Sequence, residues 1–280
     1  MRYQRHLGTH YQGWVHPEFS PPGRLLETPE EAGELPGAEP VLDCRGRQIF
    51  RTPLKFQDGP HSCFTYYFKN SSVSRSLRSC YAFQSLKISE KLRAEGFGTL
   101  EVVAAVKKKG EWLNWHSLVV AREIDSVHEI ASEGNHIYQV HPAEELSPKL
   151  AGHLARELVR FHARGFFHGD LKTRHILVRT DSTARFFFVD LEKCRYLPRL
   201  PRLLRDVLAA RDLIQLLTSL PGDFTASNPL VRDFLERYLE AAGLPLDPPH
   251  RIVKMVNLYS QEGPLSQGQT VLSGLVRRAK

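Results

Sequence analysis

Within eight positions the chain sets His168, Asp170, Lys172 and His175, then closes the stretch with Ile176-Leu177-Val178. A solvated loop has no need of the apolar ending, and a buried strand has no use for the charges. HGDLKTRHILV is therefore expected to be a short polar loop pinned by a strand. A second apolar run, RFFFVD, ends in Asp190. Two carboxylates placed in this way suit phosphoryl transfer, in which one orients the attacking hydroxyl and another holds Mg²⁺ on the nucleotide phosphates. Asp170 is the candidate for the first role and Asp190 for the second. Their ordinary readings are a turn-forming Asp after glycine and a strand-end Asp. Lys172 either neutralises charge on a transferring phosphate or is simply solvated. His175 either touches metal or phosphate or is a hydrogen-bonded structural histidine.

The elements that must position these residues are legible on both sides. Upstream of the loop, SPKLAGHLARELVRFHARG starts with Ser-Pro, keeps Leu150, Leu154, Leu158 and Phe161 in helical register, and stops at Gly165. Downstream, RDVLAARDLIQLLTSL and PLVRDFLERYLEAAG have amphipathic helical spacing. Earlier in the chain, RQIFRTPLKF, CFTYYFKN, TLEVVAAVKK and WLNWHSLVVARE read as strands. One helix, SRSLRSCYAFQSLKISEKLRAEGF, is inserted among them and stops at Gly96. Trp112 and Trp115 are expected to pack in the core. The Pro- and Gly-rich residues 1–40 are expected to be an irregular extension. The expected organisation is that extension, a sheet-based part over 41–123 and a mostly helical part over 124–280.

At this point the chain resembles a known architecture. HGDLKTRHIL is similar to the protein-kinase catalytic loop H-R-D-L-x-x-x-N, and VDLEK stands where D-F-G would stand. The resemblance implies an α+β, bilobal protein-kinase-like fold, with a small antiparallel-sheet N-lobe and a mostly helical C-lobe. It implies that Lys69, in YYFKN, is the third-strand lysine that contacts the nucleotide phosphates. It also implies that Asp212, in ARDLIQLL, braces the catalytic loop. Gly169 replaces the loop arginine, His175 replaces the second metal-holding Asn, and Leu191-Glu192 replaces Phe-Gly. A His at that position, a D-L-x-[RK] stretch and the segment LRAEGFGTLEVVAAV are similar to the Kdo/WaaP lipopolysaccharide kinase family. The helix glutamate expected to pair with Lys69 falls near Gln84 or Ser85, with Glu90 as an alternative, and the phosphate-covering turn DCRGRQIF offers only Gly46.

Composition limits the partners. The chain has 280 residues and a net charge of +7, which favours a phosphate-rich or otherwise anionic partner. Four cysteines without CxxC spacing indicate neither a zinc site nor a disulfide framework, so a reducing, cytoplasmic setting is expected. The N-terminal residues MRYQRHLGTHYQGW lack the apolar segment of a secretory signal. No apolar run approaches the roughly 20 residues needed to span a bilayer. The basic stretch holding Arg195, Arg199, Arg202, Arg205 and Arg211 suits an anionic acceptor or peripheral contact with anionic lipid at the inner membrane. Nucleic acid is not expected, because no stacking motif accompanies the charge. The resemblance therefore implies an ATP- and Mg²⁺-dependent kinase that phosphorylates a heptose or Kdo sugar of the lipopolysaccharide core. In that role Asp170 and Lys172 are catalytic, and Lys69, Asp190 and His175 bind nucleotide and metal. The alternative is a non-catalytic or regulatory kinase-like binding module.

Overall fold

The computed structural model describes residues 3–21, 25–44, 46–69, 80–110, 116–130, 147–179, 185–220 and 229–244. The chain divides into two compact units, Met1–Val127 with Phe187–Cys194, and His128–Phe186 with Arg195–Lys280. The unexpected feature is the return of 187–194, the Asp190 segment, to the first unit.

In the first unit β1 (Gln4–Leu7), β2 (Tyr11–Val15), β3 (Glu39–Cys44), β4 (Arg47–Phe56), β5 (Gly59–Lys69), β7 (Glu101–Lys108) and β8 (His116–Arg122) form one sheet. Its order is β1-β2-β7-β8-β5-β4-β3, antiparallel throughout. The middle strands are apolar without alternation: Cys63–Phe68, Val102–Val106 and Leu118–Ala121 are continuously buried. That pattern requires cover on both faces. Helix α1 (Tyr81–Ala94) covers one face by packing on β7 and β8. On the other, Tyr11, Phe19, Leu25 and Leu26 join Cys63, Tyr67, Val106 and Leu118 in one cluster.

The N-terminal residues are thus not an irregular extension. The expectation is corrected because β1 and β2 extend the sheet from β7, and the loop after them seals its open face. Gly13 makes this possible, since a Cβ there would lie 2.0 Å from the Ala105 carbonyl oxygen. Tyr3 ties the segment down by donating its hydroxyl to the Val102 carbonyl at 2.6 Å.

The second unit is built on α2 (Pro148–Ala163), α3 (Arg202–Leu217) and α4 (Pro229–Ala241). Helix α2 begins where the Ser-Pro signal placed it, with the Ser147 side chain accepting from the Leu150 N–H. It packs against α4, burying Leu154, Leu158, Phe161, Phe234 and Tyr238. After α2 the chain forms β10 (Phe166–Phe167), which pairs with β13 (Arg195–Tyr196). It then enters the polar loop and β11 (Ile176–Arg179), which pairs with β9 (His128–Glu129). Strand β12 (Arg185–Phe188) ends in the first unit, where Phe187 and Phe188 pair in parallel with Gly98 and Thr99 of β6 (Gly98–Thr99). Trp112 and Trp115 lie outside the described residues.

Candidate active site

In the second unit the loop 168–175 is organised by one buried carboxylate. Asp212, 1% exposed, accepts from the backbone N–H of His168 at 2.6 Å and of Gly169 at 2.8 Å. His162 lies 3.4 Å from the same carboxylate through Nε2 and 2.8 Å from the Tyr238 hydroxyl through Nδ1. A carboxylate only accepts, so Nε2 carries the proton and Nδ1 accepts from Tyr238. Burial, reinforced by the Asp212 charge, pushes the Tyr238 hydroxyl up and keeps it protonated as that donor. Further along, the Leu171 N–H donates to Gln215 and the Thr173 N–H to the Ser219 hydroxyl, so α3 and the residues just after it grip the loop repeatedly.

What the loop displays is Asp170 and Lys172. Lys172 Nζ lies 3.1 Å from Asp170 Oδ1, and the two side chains keep 30% and 16% of their surface exposed. His175 turns inward instead. It is 1% exposed, its ring stacks on His168 at 5.8 Å, and its Nδ1 lies 2.7 Å from the Asp170 carbonyl oxygen. That bond requires a proton on Nδ1, which leaves Nε2 as the acceptor facing Arg174 Nε at 3.4 Å. The structure thus gives His175 the hydrogen-bonded role in shaping the loop, with both ring nitrogens engaged inside it.

In the first unit Asp190 follows β12. The Thr99 hydroxyl donates to the Phe188 carbonyl at 2.7 Å, and Val189 and Leu191 are buried on either side of Asp190. Asp190 itself is left-handed, φ 60° and ψ 53°, a conformation that costs a non-glycine residue roughly 1 kcal/mol and is enriched at functional positions. Its side chain faces a recess lined by Tyr66, Phe68, Ser85, Val119 and Glu192. Arg47, the first residue of β4, also lines it: Nη1 lies 3.2 and 3.3 Å from the two Asp190 oxygens and 3.0 Å from Glu192 Oε1. The guanidinium sits 5.5 Å from the Tyr66 ring centroid and 5.6 Å from that of Phe68. Burial first, and then the neighbouring Asp190 charge, push the Glu192 carboxyl up to about 8, with Arg47 opposing the shift.

Lys69 is exposed at the end of β5, and the strand period puts it on the face opposite Tyr66 and Phe68. On α1, Ser85 faces the recess and Gln84 donates to the Cys194 carbonyl at 2.7 Å. Glu90 Oε1 lies 3.2 Å from the Tyr3 hydroxyl oxygen. Sequence reasoning missed Arg47, because only the β4–β5 register, which sets it opposite Phe68, puts the two on one face.

Among the described residues no three His, Cys, Asp or Glu side chains converge as a metal cluster. Mg²⁺ needs none, since it takes one or two carboxylates and completes its shell with water and phosphate. Asp190 offers such a hard oxygen donor, and a guanidinium cation already sits against it, so the residue fits the ion.

The order of parts along the chain, a braced polar loop followed by a strand-end aspartate, is that of the kinase-like class. The fold agrees with a solved structure described as WaaP in complex with acyl carrier protein. That structure is 20% identical, covers 87% of this chain and 97% of its own, and has a TM-score of 0.58. The family model of the lipopolysaccharide kinase (Kdo/WaaP) family matches residues 65–238, and the chain belongs to that family. A Stt7 homologue from Micromonas algae soaked with ATP matches 57% of this chain and 50% of its own, at 15% identity and a TM-score of 0.39, too low to bear on the fold. No curated protein matches.

Proposed function

We propose that the chain transfers the γ-phosphoryl group of ATP to a sugar hydroxyl of the lipopolysaccharide core, a heptose or Kdo. The observation that carries this reading is the loop 168–175, whose backbone N–H groups are pinned by Asp212 so that Asp170 and Lys172 stand together at its exposed edge. Asp170 accepts a hydrogen bond from the acceptor hydroxyl and aims its oxygen at phosphorus. Lys172 pairs with Asp170 at 3.1 Å and offers its ammonium to the charge that builds on the transferring group. Asp190 binds Mg²⁺, which supplies charge neutralisation across the nucleotide phosphates. His175 fixes the carbonyl of Asp170, and through it the direction of the carboxylate.

The binding-module alternative is favoured by one observation: β5 and α1 present only Tyr66, Phe68 and Ser85 to the recess, where a lysine and a glutamate were expected. Turnover separates the two readings. With labelled ATP, Mg²⁺ and an inner-core lipopolysaccharide extract, label is expected to enter the glycolipid with the wild type and to fall by at least about 10³-fold with Asp170→Ala. Nucleotide binding with no transfer to any glycolipid fraction would support the binding module instead.

The site of action proposed is the cytoplasmic face of the inner membrane, by peripheral contact. No helix among the described residues is long and apolar enough to cross a membrane. Leu203 and Leu204 are exposed at the start of α3, next to exposed Arg199 and Arg202. An apolar pair flanked by arginines suits insertion among anionic headgroups. An acyl carrier protein, as in the WaaP complex, is a second candidate partner, to be tested by co-purification.

A further inference from the structure

A kinase-like site needs a cation on the nucleotide phosphates and a carboxylate to hold it. The usual arrangement takes the lysine from the central strand and the glutamate from the helix behind it. Here both usual positions facing the recess are uncharged: β5 presents Tyr66 and Phe68, and α1 presents Ser85. The recess nevertheless contains a cation and an acidic side chain close together. The cation is Arg47, supplied by the adjacent strand β4 and emerging beside Phe68. The acidic side chain is Glu192, whose Oε1 lies 3.0 Å from Arg47 Nη1, two residues beyond Asp190.

We propose that Arg47 and Glu192 are a relocated phosphate-binding pair, in which Arg47 binds the nucleotide phosphates and Glu192 holds it in place. This inference rests on the nucleotide-binding reading above. Three features make Arg47 suited to the task. The rings of Tyr66 and Phe68 restrain the guanidinium, which reduces the entropy lost when a ligand is gripped. A guanidinium fork engages two acceptor oxygens at once, so Arg47 can keep Glu192 while exchanging Asp190 for a phosphate oxygen. That exchange also releases the Asp190 carboxylate for the metal. Arg47 comes directly after the turn at Gly46, whose carbonyl accepts from the Lys69 N–H, so the turn and the cation are fixed together. The phosphate-covering turn therefore needs fewer glycines, because its first strand residue contributes a full charge.

The test is titration of the full chain with a fluorescent ATP analogue, each variant first being shown to melt cooperatively near the wild-type temperature. Arg47→Ala is expected to weaken binding on the order of tenfold or more, Arg47→Lys less, and Glu192→Gln by a few-fold. Adding Tyr66→Lys to Arg47→Ala moves the cation one strand over on the same face and is expected to restore most of the affinity. Equal affinity of the wild type and Arg47→Ala overturns the inference while leaving the nucleotide reading standing. A larger loss from Lys69→Ala than from Arg47→Ala overturns it in favour of Lys69. A wild type that binds no nucleotide overturns the nucleotide reading itself, and the inference with it.

Discussion

Asp212 is the residue on which the candidate loop depends most. It is buried and satisfied by two backbone donors and a histidine, so its removal leaves the buried His168 N–H and the part-buried Gly169 N–H without their acceptor. Asp212→Ala is expected to cost on the order of 3 kcal/mol in urea denaturation and to abolish transfer; Asp212→Asn, which keeps one acceptor, should recover part of the stability. The thiols give a pH-dependent check on the same scale. Cys44 is exposed, whereas Cys63, Cys80 and Cys194 are buried. Burial pushes the Cys63 thiol up to about 12. At pH 8, roughly four pH units lower, about one molecule in ten thousand carries its thiolate, and raising the pH increases that fraction. A disulfide reagent should therefore titrate a single thiol in the native protein at pH 8, and all four after denaturation. Rapid native reaction of a second thiol would show that the packing over one of the three buried thiols opens readily.

At the scale of elements, the hairpin of β1 and β2 is where local pattern and outcome part. QRHL and YQGWV are short, the first mostly polar and the second interrupted by Gly13, and neither stands out as sheet from its own sequence. The clue lay elsewhere, in the unbroken apolar runs of β5, β7 and β8, which demand cover on both faces while α1 provides only one. Gly13→Ala is expected to push β2 away from β7 and destabilise the protein on the order of 2 kcal/mol by thermal or chemical denaturation. An unchanged midpoint would mean that the hairpin is not packed as described. By contrast, α2, β4 and the loop 168–175 were legible because capping, alternation and a motif of fixed spacing are local signals. Arg47 was not, since only the register of β4 on β5 shows that a residue far away in sequence shares a recess with Asp190.

For the molecule as a whole, charge and continuity matter more than any single contact. If the exposed Leu203-Leu204 pair and its arginines meet a membrane, Leu203→Glu with Leu204→Glu should reduce co-sedimentation with anionic vesicles several-fold and leave ATP binding intact. Added salt should weaken the wild type as well. Binding to neutral and anionic vesicles alike would argue against this face.

The return of 187–194 to the first unit also has a temporal meaning. A ribosome delivers Met1–Val127 and then the whole of 128–186 before the strand end carrying Phe188 and Asp190 emerges. Until then Thr99 lacks its acceptor and the recess beside Val102 and Val119 has no floor. The nascent sheet must wait with apolar surface uncovered, a state open to chaperones and to aggregation. A fragment ending at Ile130 should accordingly be poorly soluble, and a synthetic peptide spanning 185–196 should raise its melting temperature. The aspartate proposed to bind the metal is thus also among the last residues to join the first unit.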